Sequence, residues 1–173
     1  MKDTHLRLLA LSLLTLSQCK KDDYNPQLPP ETTTGAYTFG CKVDGQVFVP
    51  RDGRGKPGLD GVEYVKGTGR GGYYLNLGAT DWHAVNGVAL HTDSLLFETG
   101  KTYLFKPGKG HAQAIANYDN NNFDEFDTDS GQLVITRYDS IERILAGRFD
   151  FVATNRYTGK QLHVTDGRFD VVF

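Results

Sequence analysis

Leu145-Ala-Gly-Arg-Phe-Asp-Phe-Val-Ala153 is the stretch that decides the fold class, because its side chains alternate in character with a period of two. Such alternation is typical of a β-strand that buries one face and exposes the other. Arg148 and Asp150 share the polar side, and the other side carries Leu145, Gly147, Phe149, Phe151 and Ala153. The stretch therefore predicts a strand with its apolar side on a core.

An Asp-Gly pair near the start of the domain predicts a tight hairpin. Asp44-Gly45 lies between alternating apolar runs within residues 35–50. This dipeptide suits a type I′ turn, which needs a positive φ at both central positions. The turn would set Cys41 opposite Phe48, with both side chains on the core face.

A second Asp-Gly pair predicts a second hairpin close to the carboxyl end. Asp166-Gly167 follows Leu162-His-Val-Thr165 and precedes Arg168-Phe-Asp-Val-Val-Phe173. Pairing across this turn would place Val164 by Phe169 and Leu162 by Val171 on the buried face.

Further strand candidates fill the region between these ends, separated by Gly-rich or Asn/Asp-rich segments. They are Val62–Lys66, Tyr73–Ala79, Val88–His91, Thr102–Phe105, His111–Tyr118 and Leu133–Tyr138. With 20 glycines and 12% aromatic residues, the composition also suits short strands and tight turns. Residues 35–173 are predicted to form one all-β domain, an antiparallel β-sandwich or flattened barrel of about 9–11 strands joined by hairpins.

The amino-terminal segment has the pattern of an export signal. Residues 1–18 carry a cationic start, a short apolar run and small or polar residues before Cys19. The sequence Leu16-Ser-Gln-Cys19 resembles a bacterial lipobox, which implies that Cys19 carries lipid and anchors the chain to a membrane. A plain cleaved signal with an incidental cysteine is the alternative.

The segment after Cys19 predicts a surface tether. Lys21-Asp22-Asp23 resembles the export signal of Bacteroidota lipoproteins on the outer face of the outer membrane; an ordinary solvated charge run is the alternative. Pro26, Pro29 and Pro30 disfavour regular structure. Residues 19–34 are accordingly predicted to be a lipidated, disordered tether.

Charge and cysteine content narrow the possible partners. The formal net charge of −2 does not favour binding to nucleic acid. Once Cys19 is lipidated, Cys41 is the one cysteine left, so no disulfide can form within the chain. Cys41 is expected to be a small buried apolar side chain, with a reactive thiol as the alternative.

One acidic segment is a candidate site for a structural Ca²⁺, and no other cofactor is expected. Residues 119–131 are rich in Asp and Asn, whose oxygens suit Ca²⁺, and Asp124, Asp127 and Asp129 are the candidate ligands. The spacing does not match an EF-hand, because Phe123 and Tyr138 occupy ligand positions. A solvated connector is the alternative.

The remaining candidates are weaker. Trp82 and His83 form a possible ligand-binding pair in a predicted loop, suited to a sugar or a protein. Residues 67–72 satisfy the G-x-G-x-x-G spacing, but a strand rather than a helix follows, so a hairpin loop is expected. The spacing of the histidines matches no zinc site, and no nucleophile motif is present, so no catalytic residue is predicted.

Several segments together indicate a family resemblance. They are the lipobox, Thr38-Phe-Gly-Cys-Lys-Val-Asp-Gly45, Ile135-Thr-Arg-Tyr-Asp139, Gly147-Arg-Phe-Asp-Phe151 and Thr165-Asp-Gly-Arg-Phe-Asp170. With them, residues 35–173 resemble a family of Bacteroidota outer-membrane lipoproteins of uncharacterised function. The resemblance implies export and a β fold, and it implies no catalytic or binding residue.

Three functional hypotheses follow. The first is a lipid-anchored, non-catalytic surface domain that binds a glycan or protein through the loops 51–72, 80–87 and 119–131. The second is a calycin-like barrel that holds a ligand in its interior. The third is a small envelope hydrolase with a pocket that gathers residues such as His83, His91, Asp119 or Asp124.

Overall fold

The computed structural model describes residues 24–52, 58–67, 72–84, 86–106, 108–117 and 125–173. Within these ranges the chain is all-β and contains no helix, which confirms the predicted fold class. The ten strands are β1 (Thr38–Val43), β2 (Gln46–Phe48), β3 (Leu59–Lys66), β4 (Tyr73–Asp81), β5 (Asn86–Thr92), β6 (Thr102–Leu104), β7 (Ala112–Asn117), β8 (Glu125–Asp139), β9 (Ile144–Asn155) and β10 (Gln161–Val172).

The strands form one antiparallel sheet that curls into a half-barrel. Its order is β2-β1-β10-β9-β8-β7-β5-β4-β3, and β6 pairs with β8 beside β7. The three longest strands, β8, β9 and β10, have 15, 12 and 12 residues and lie next to one another. They form the central part of the sheet.

The concave side of the sheet is filled by apolar side chains. The predicted alternation of β9 is confirmed, because Leu145, Phe149 and Phe151 are all buried. The largest fully buried side chains come from six strands and two connections; they include Phe39, Phe97, Phe105, Phe126, Leu77, Leu90, Leu133, Leu145 and Leu162. This packing favours a solid core over the ligand-holding interior of the calycin-like hypothesis.

The first Asp-Gly hairpin is confirmed. Asp44 and Gly45 have φ values of 47° and 80°, as a type I′ turn requires. Cys41 lies opposite Phe48, and both are buried. Burial raises the pKa of the Cys41 thiol, so this residue is an inert apolar side chain in the core.

The second predicted hairpin is wrong. Strand β10 runs without a break through Asp166-Gly167 and pairs with β9, so that Val164 lies opposite Phe151. Asp166 does adopt a left-handed φ of 54°, but it does so in a β-bulge between Val164 and Gly167. A bulge can place one residue in the left-handed conformation that a type I′ turn also uses, while the strand continues.

Reciprocal packing of glycine and phenylalanine fixes the register of β9 against β10. Gly147 lies opposite Phe169, and Gly167 lies opposite Phe149. A Cβ atom on Gly167 would lie 2.5 Å from the Phe149 ring, and one on Gly147 would lie 2.8 Å from the Phe169 ring. Each glycine therefore leaves the space that the opposite ring occupies.

Two sets of contacts connect the two edges of the curled sheet to other parts of the domain. The Tyr64 ring of β3 stacks on Phe97 at 4.8 Å and meets the edge-on rings of Tyr138 and Phe173, each at 5.5 Å. At the other edge, Arg51 follows β2 and forms a parallel bridge with Asp81 of β4. These contacts join the two ends of the strand order.

The predicted disordered tether is wrong for the part of it that the structure describes. Residues 24–36, here called the strap, cross the outer face of β10 and β1, whereas residues 19–23 lie outside the described ranges. Gly40 of β1 permits this approach, because a Cβ atom there would lie 2.6 Å from Cδ of Pro29. The strap is part of the domain.

A buried carboxylate holds the strap in place. Asp170 of β10 is 1% exposed, and its Oδ2 accepts hydrogen bonds from Thr32 Oγ1 at 2.7 Å, Thr34 N at 2.8 Å and Ala36 N at 3.1 Å. Its Oδ1 accepts one from Gly35 N at 2.8 Å. Burial alone would raise the pKa of Asp170, but these four bonds favour the charged form and hold the pKa below its usual value.

We expect Gly167→Ala to destabilise the domain, because the new methyl group must displace the Phe149 ring and meets the Phe149 carbonyl oxygen at 2.6 Å. Overpacking of this kind costs about 1–3 kcal/mol. Urea denaturation measures the loss. Gly87→Ala in β5 is the matched control, since its nearest neighbour would be 3.4 Å away. Equal stability of the two variants would contradict the proposed packing.

We expect Asp170→Asn to destabilise the protein by about 3 kcal/mol at pH 7, because an amide group cannot accept hydrogen bonds on both of its heavy atoms. The loss should shrink as the pH falls below about 4, since a carboxylate with a lowered native pKa stabilises the fold only while it is ionised. Urea denaturation at pH 7 and pH 3 measures both effects.

Hydrogen exchange gives a local readout for the same variant. The amides of Thr34, Gly35 and Ala36 should lose protection in Asp170→Asn and keep it in Asp60→Asn, a change at an exposed carboxylate of β3. Unchanged protection in Asp170→Asn would show that the carboxylate does not hold the strap.

Candidate functional site

A polar groove lies on the outer face of β8, β9 and β10, beside the strap. Its volume is about 340 Å³, and its lining is Glu31, Gln132, Val134, Arg148, Phe149, Asp150, Asp166, Gly167 and Arg168. A smaller recess of about 160 Å³ continues it along the strap from Pro30 to Thr33. We call the larger depression the strap groove, because the strap forms one of its walls.

Two arginines face each other across the floor of the strap groove. The register that seats Phe149 and Phe169 in the core turns Arg148 and Arg168 outward and makes them direct cross-strand partners. Like charges in directly opposed positions destabilise an antiparallel pair. The register fixes these two positions opposite each other, but it does not require arginine at either, so the choice of residue has a cost.

Neither guanidinium is tightly paired. The contact from Arg148 Nε to a Glu31 carboxylate oxygen is 3.9 Å long. The Arg148 side chain is 56% exposed and the Glu31 side chain 50%. Arg168 donates to backbone oxygens, to Asp166 O at 3.2 Å and to Pro29 O at 3.5 Å. Within the described part of the chain, no carboxylate lies within ion-pair distance of Arg168. Both side chains keep donors that can reach a ligand.

The acidic residues of the strap groove are engaged to different degrees. The Lys42 ammonium lies 2.9 Å from the Asp166 carboxylate, and the hydrogen bond and charge of Lys42 lower the pKa of Asp166. Gln132 Nε2 makes a long 3.5 Å contact with Asp150 Oδ1. With Lys42 included, three cations face three carboxylates, so the groove is close to neutral but has donors and acceptors side by side.

The strap wall is fixed to the sheet just after Glu31 by two sets of contacts. Asp170 binds the strap beyond it, as described above, and Arg137 of β8 donates to Thr33 O at 2.7 Å. Arg137 is itself paired with Asp139 at 2.8 Å and with Glu142. Glu31 is thereby carried on a segment with contacts to β1, β8 and β10.

The predicted Ca²⁺ site is not formed by the residues that the structure describes. Asp127 and Asp129 lie within strand β8 rather than in a loop, so the boundary of the predicted 119–131 loop is wrong. Arg156 Nε lies 2.5 Å from Asp127, and Thr154 donates to Asp129 at 2.5 Å. Asp124 falls outside the described ranges, and across those ranges no three His, Cys, Asp or Glu residues form a metal-binding group.

Trp82 and His83 lie in the turn after β4, as predicted, and apart from the strap groove. Trp82 is 56% exposed, and its backbone N–H donates to Arg51 O at 2.8 Å. The His83 N–H donates to Asp81 Oδ1 at 3.0 Å. The pair is available on the surface, and neither the strap groove nor the recess beside it includes either residue.

The residues of the hydrolase hypothesis are not gathered at the strap groove. His91 lies in β5, where burial lowers its pKa, and His83 lies in the β4–β5 turn. Asp119 and Asp124 are outside the described ranges. Residues 67 and 72 do close a hairpin between β3 and β4, with Gly67 N donating to Gly72 O at 2.9 Å, as the sequence predicts.

Sequence reasoning missed the strap groove, although a signal was present. The tetrapeptide Gly-Arg-Phe-Asp occurs twice, at 147–150 and at 167–170. In an antiparallel pair centred on the two arginines, each glycine meets the phenylalanine of the other copy. The repeat could have predicted the register and the opposed arginines, but not the strap that completes the groove.

Comparison with known proteins identifies no relative. No protein-family model, curated protein or solved structure matches the chain. The resemblance to Bacteroidota lipoproteins therefore stays a prediction. In the part of the chain that the structure describes, no helix has the length and apolar character needed to cross a membrane.

We expect Arg148→Gln to leave the ligand-free domain as stable as the native protein, or more stable by about 0.5 kcal/mol, because it relieves the opposed charges. Arg51→Gln is the contrasting variant, since Arg51 holds Asp81 by two hydrogen bonds of 3.0 and 2.7 Å and should cost about 2 kcal/mol when removed. Urea denaturation in low salt compares them. A large loss of stability in Arg148→Gln would show that this arginine has a structural role.

Proposed function

We propose that the protein is a lipid-anchored, non-catalytic binding domain of the cell envelope, and that the strap groove binds an acidic saccharide. The observation that carries the proposal is the opposed pair of Arg148 and Arg168 in a groove of about 340 Å³. That volume is at the lower end of the range for small-ligand sites.

The arginine pair favours an anionic group. A guanidinium presents a planar fork of donors that matches a carboxylate or sulfate in a bidentate arrangement. An anion between Arg148 and Arg168 would be attracted by both side chains and would screen their mutual repulsion. The cost of placing them opposite each other would then be offset when ligand binds.

The rest of the lining favours a saccharide as the carrier of that anionic group. Glu31 and Asp150 present acceptors that suit hydroxyl groups, which a saccharide supplies beside its carboxylate. The groove is open and lies on the outer face of the sheet, so a chain can pass along it toward the recess near Thr33. A uronic acid unit combines one carboxylate with several hydroxyl donors, which fits both features.

The anchor part of the proposal is supported by the sequence. The lipobox-like segment before Cys19 would attach the chain to a membrane, and Lys21-Asp22-Asp23 would direct it to the outer face of the outer membrane. Two or more acyl chains give stable attachment, whereas one binds marginally. A domain on the cell surface would meet acidic polysaccharides outside the cell.

Calorimetric titration of the full-length protein in detergent tests the groove. We expect binding of oligogalacturonate and none of neutral maltooligosaccharide. Arg148→Gln and Arg168→Gln should each weaken binding about tenfold or more, because a hydrogen bond to a charged group contributes about 1.5–3 kcal/mol. Arg156→Gln is the matched control: it removes the same charge outside the groove, from an arginine whose side chain is 75% exposed.

Three results would contradict this assignment. Equal affinity for the neutral oligosaccharide would exclude recognition of the anion. Equal weakening by Arg156→Gln would indicate attraction by overall charge rather than by the groove. Tighter binding of oligoglutamate than of oligogalacturonate would mean that the groove takes an acidic peptide instead of a saccharide.

A further inference from the structure

An exposed aromatic patch lies at the start of the strap. Tyr24 is 45% exposed and Trp82 is 56% exposed, although both are large side chains. Arg51 connects them: its guanidinium carbon lies 3.6 Å from the centre of the Tyr24 ring, and its carbonyl oxygen accepts the hydrogen bond from Trp82 N. We call Tyr24, Arg51 and Trp82 the aromatic patch.

The aromatic patch is held firmly to the sheet. The side chain of Arg51 binds Asp81 at the end of β4 with two hydrogen bonds, and the carboxylate of Asp81 is largely buried. Arg51 N also donates to Thr80 O at 3.0 Å. The Tyr24 ring and the backbone of Trp82 are therefore both held by Arg51, and the charge of Arg51 is neutralised by Asp81.

The lipid-bearing residue must stay close to this patch. Five peptide units separate Cys19 from Tyr24, and a fully extended chain spans at most about 3.6 Å per residue, or about 18 Å in total. This limit holds for every conformation of the intervening residues. If Cys19 is inserted in a bilayer, Tyr24 cannot be far from its surface.

The chemistry of the patch suits that surface. Tyrosine and tryptophan combine an apolar ring with a polar group and are enriched at the boundary between lipid and water. Because Arg51 is paired with Asp81, the contact should depend on the rings rather than on anionic lipid. Contact of this kind adds to the acyl anchor and limits rotation of the domain.

We infer that the aromatic patch lies against the lipid headgroup region of the membrane that holds Cys19. This inference rests on the lipid anchor of the proposed function. The strap groove begins at Glu31, seven residues along the strap from Tyr24, so the patch is nearer than the groove to Cys19 along the chain. The anchor, the patch and the strap together would orient the domain.

The single tryptophan makes this inference directly measurable, because Trp82 is the chain's one tryptophan. The full-length, processed protein is reconstituted into phosphatidylcholine vesicles with either ordinary or brominated acyl chains, since bromine quenches a nearby indole. We expect Trp82 to lose most of its emission in brominated vesicles. The loss should be the same when anionic lipid is added.

A relocated tryptophan provides the matched control. Ile141 is 92% exposed in the turn between β8 and β9, close to Arg137, which binds the strap at Thr33. Trp82→Phe combined with Ile141→Trp moves the probe toward the other end of the strap. We expect this variant to keep its emission in brominated vesicles.

The outcomes separate the anchor from the patch. Mass spectrometry of Cys19 and flotation with vesicles test the anchor, with Cys19→Ala as the control. Failure to be acylated and to float would overturn both the anchor and this inference. Flotation without quenching of Trp82, or equal quenching of Trp82 and of the tryptophan at 141, would overturn the inference alone.

Discussion

The register between β9 and β10 is the constraint on which both faces of the central sheet depend. On the concave side, Gly147 and Gly167 leave the space that the rings of Phe169 and Phe149 fill. Side chains alternate along a strand, so the same register must turn the two intervening arginines outward and opposite each other. A shift by one residue would put arginines in the core and rings in water. Core packing thus fixes the position of the charged pair in the strap groove.

The two copies of Gly-Arg-Phe-Asp have different surroundings because the strap covers one of them. Asp150 in β9 stays partly exposed and lines the strap groove, whereas Asp170 in β10 is buried beneath the strap and accepts four hydrogen bonds. The same side chain therefore faces the groove as an acceptor in one copy and holds the strap in the other. Two neighbouring positions on the outer face of β10 have different roles, since Arg168 lines the groove and Asp170 holds the strap that forms its wall.

Local sequence patterns predicted the elements better than the way in which they pair. The class of fold, the alternation of β9 and the Asp44-Gly45 turn could all be inferred from periodicity and turn chemistry. Asp166-Gly167 could not, because its left-handed backbone suits a bulge as well as a turn, and only the continuous partner β9 decides between them. The polarity of Asp127 and Asp129 predicts a solvated connector for a similar reason, but β9 extends far enough to pair with that part of β8.

The strap shows why a site of this kind is difficult to predict from sequence. Prolines and threonines in residues 24–36 have the composition of a linker, and nothing local indicates that a carboxylate 134 to 138 residues away will bind them. The role of Gly40 is equally difficult to predict from the sequence, because this glycine leaves room for Pro29 rather than forming a turn. Once the strap is fixed, a flat polar sheet face becomes a groove. The segment that would lead to a lipid anchor is then also a wall of the proposed binding site. Attachment to the membrane and the shape of the groove would therefore depend on the same segment.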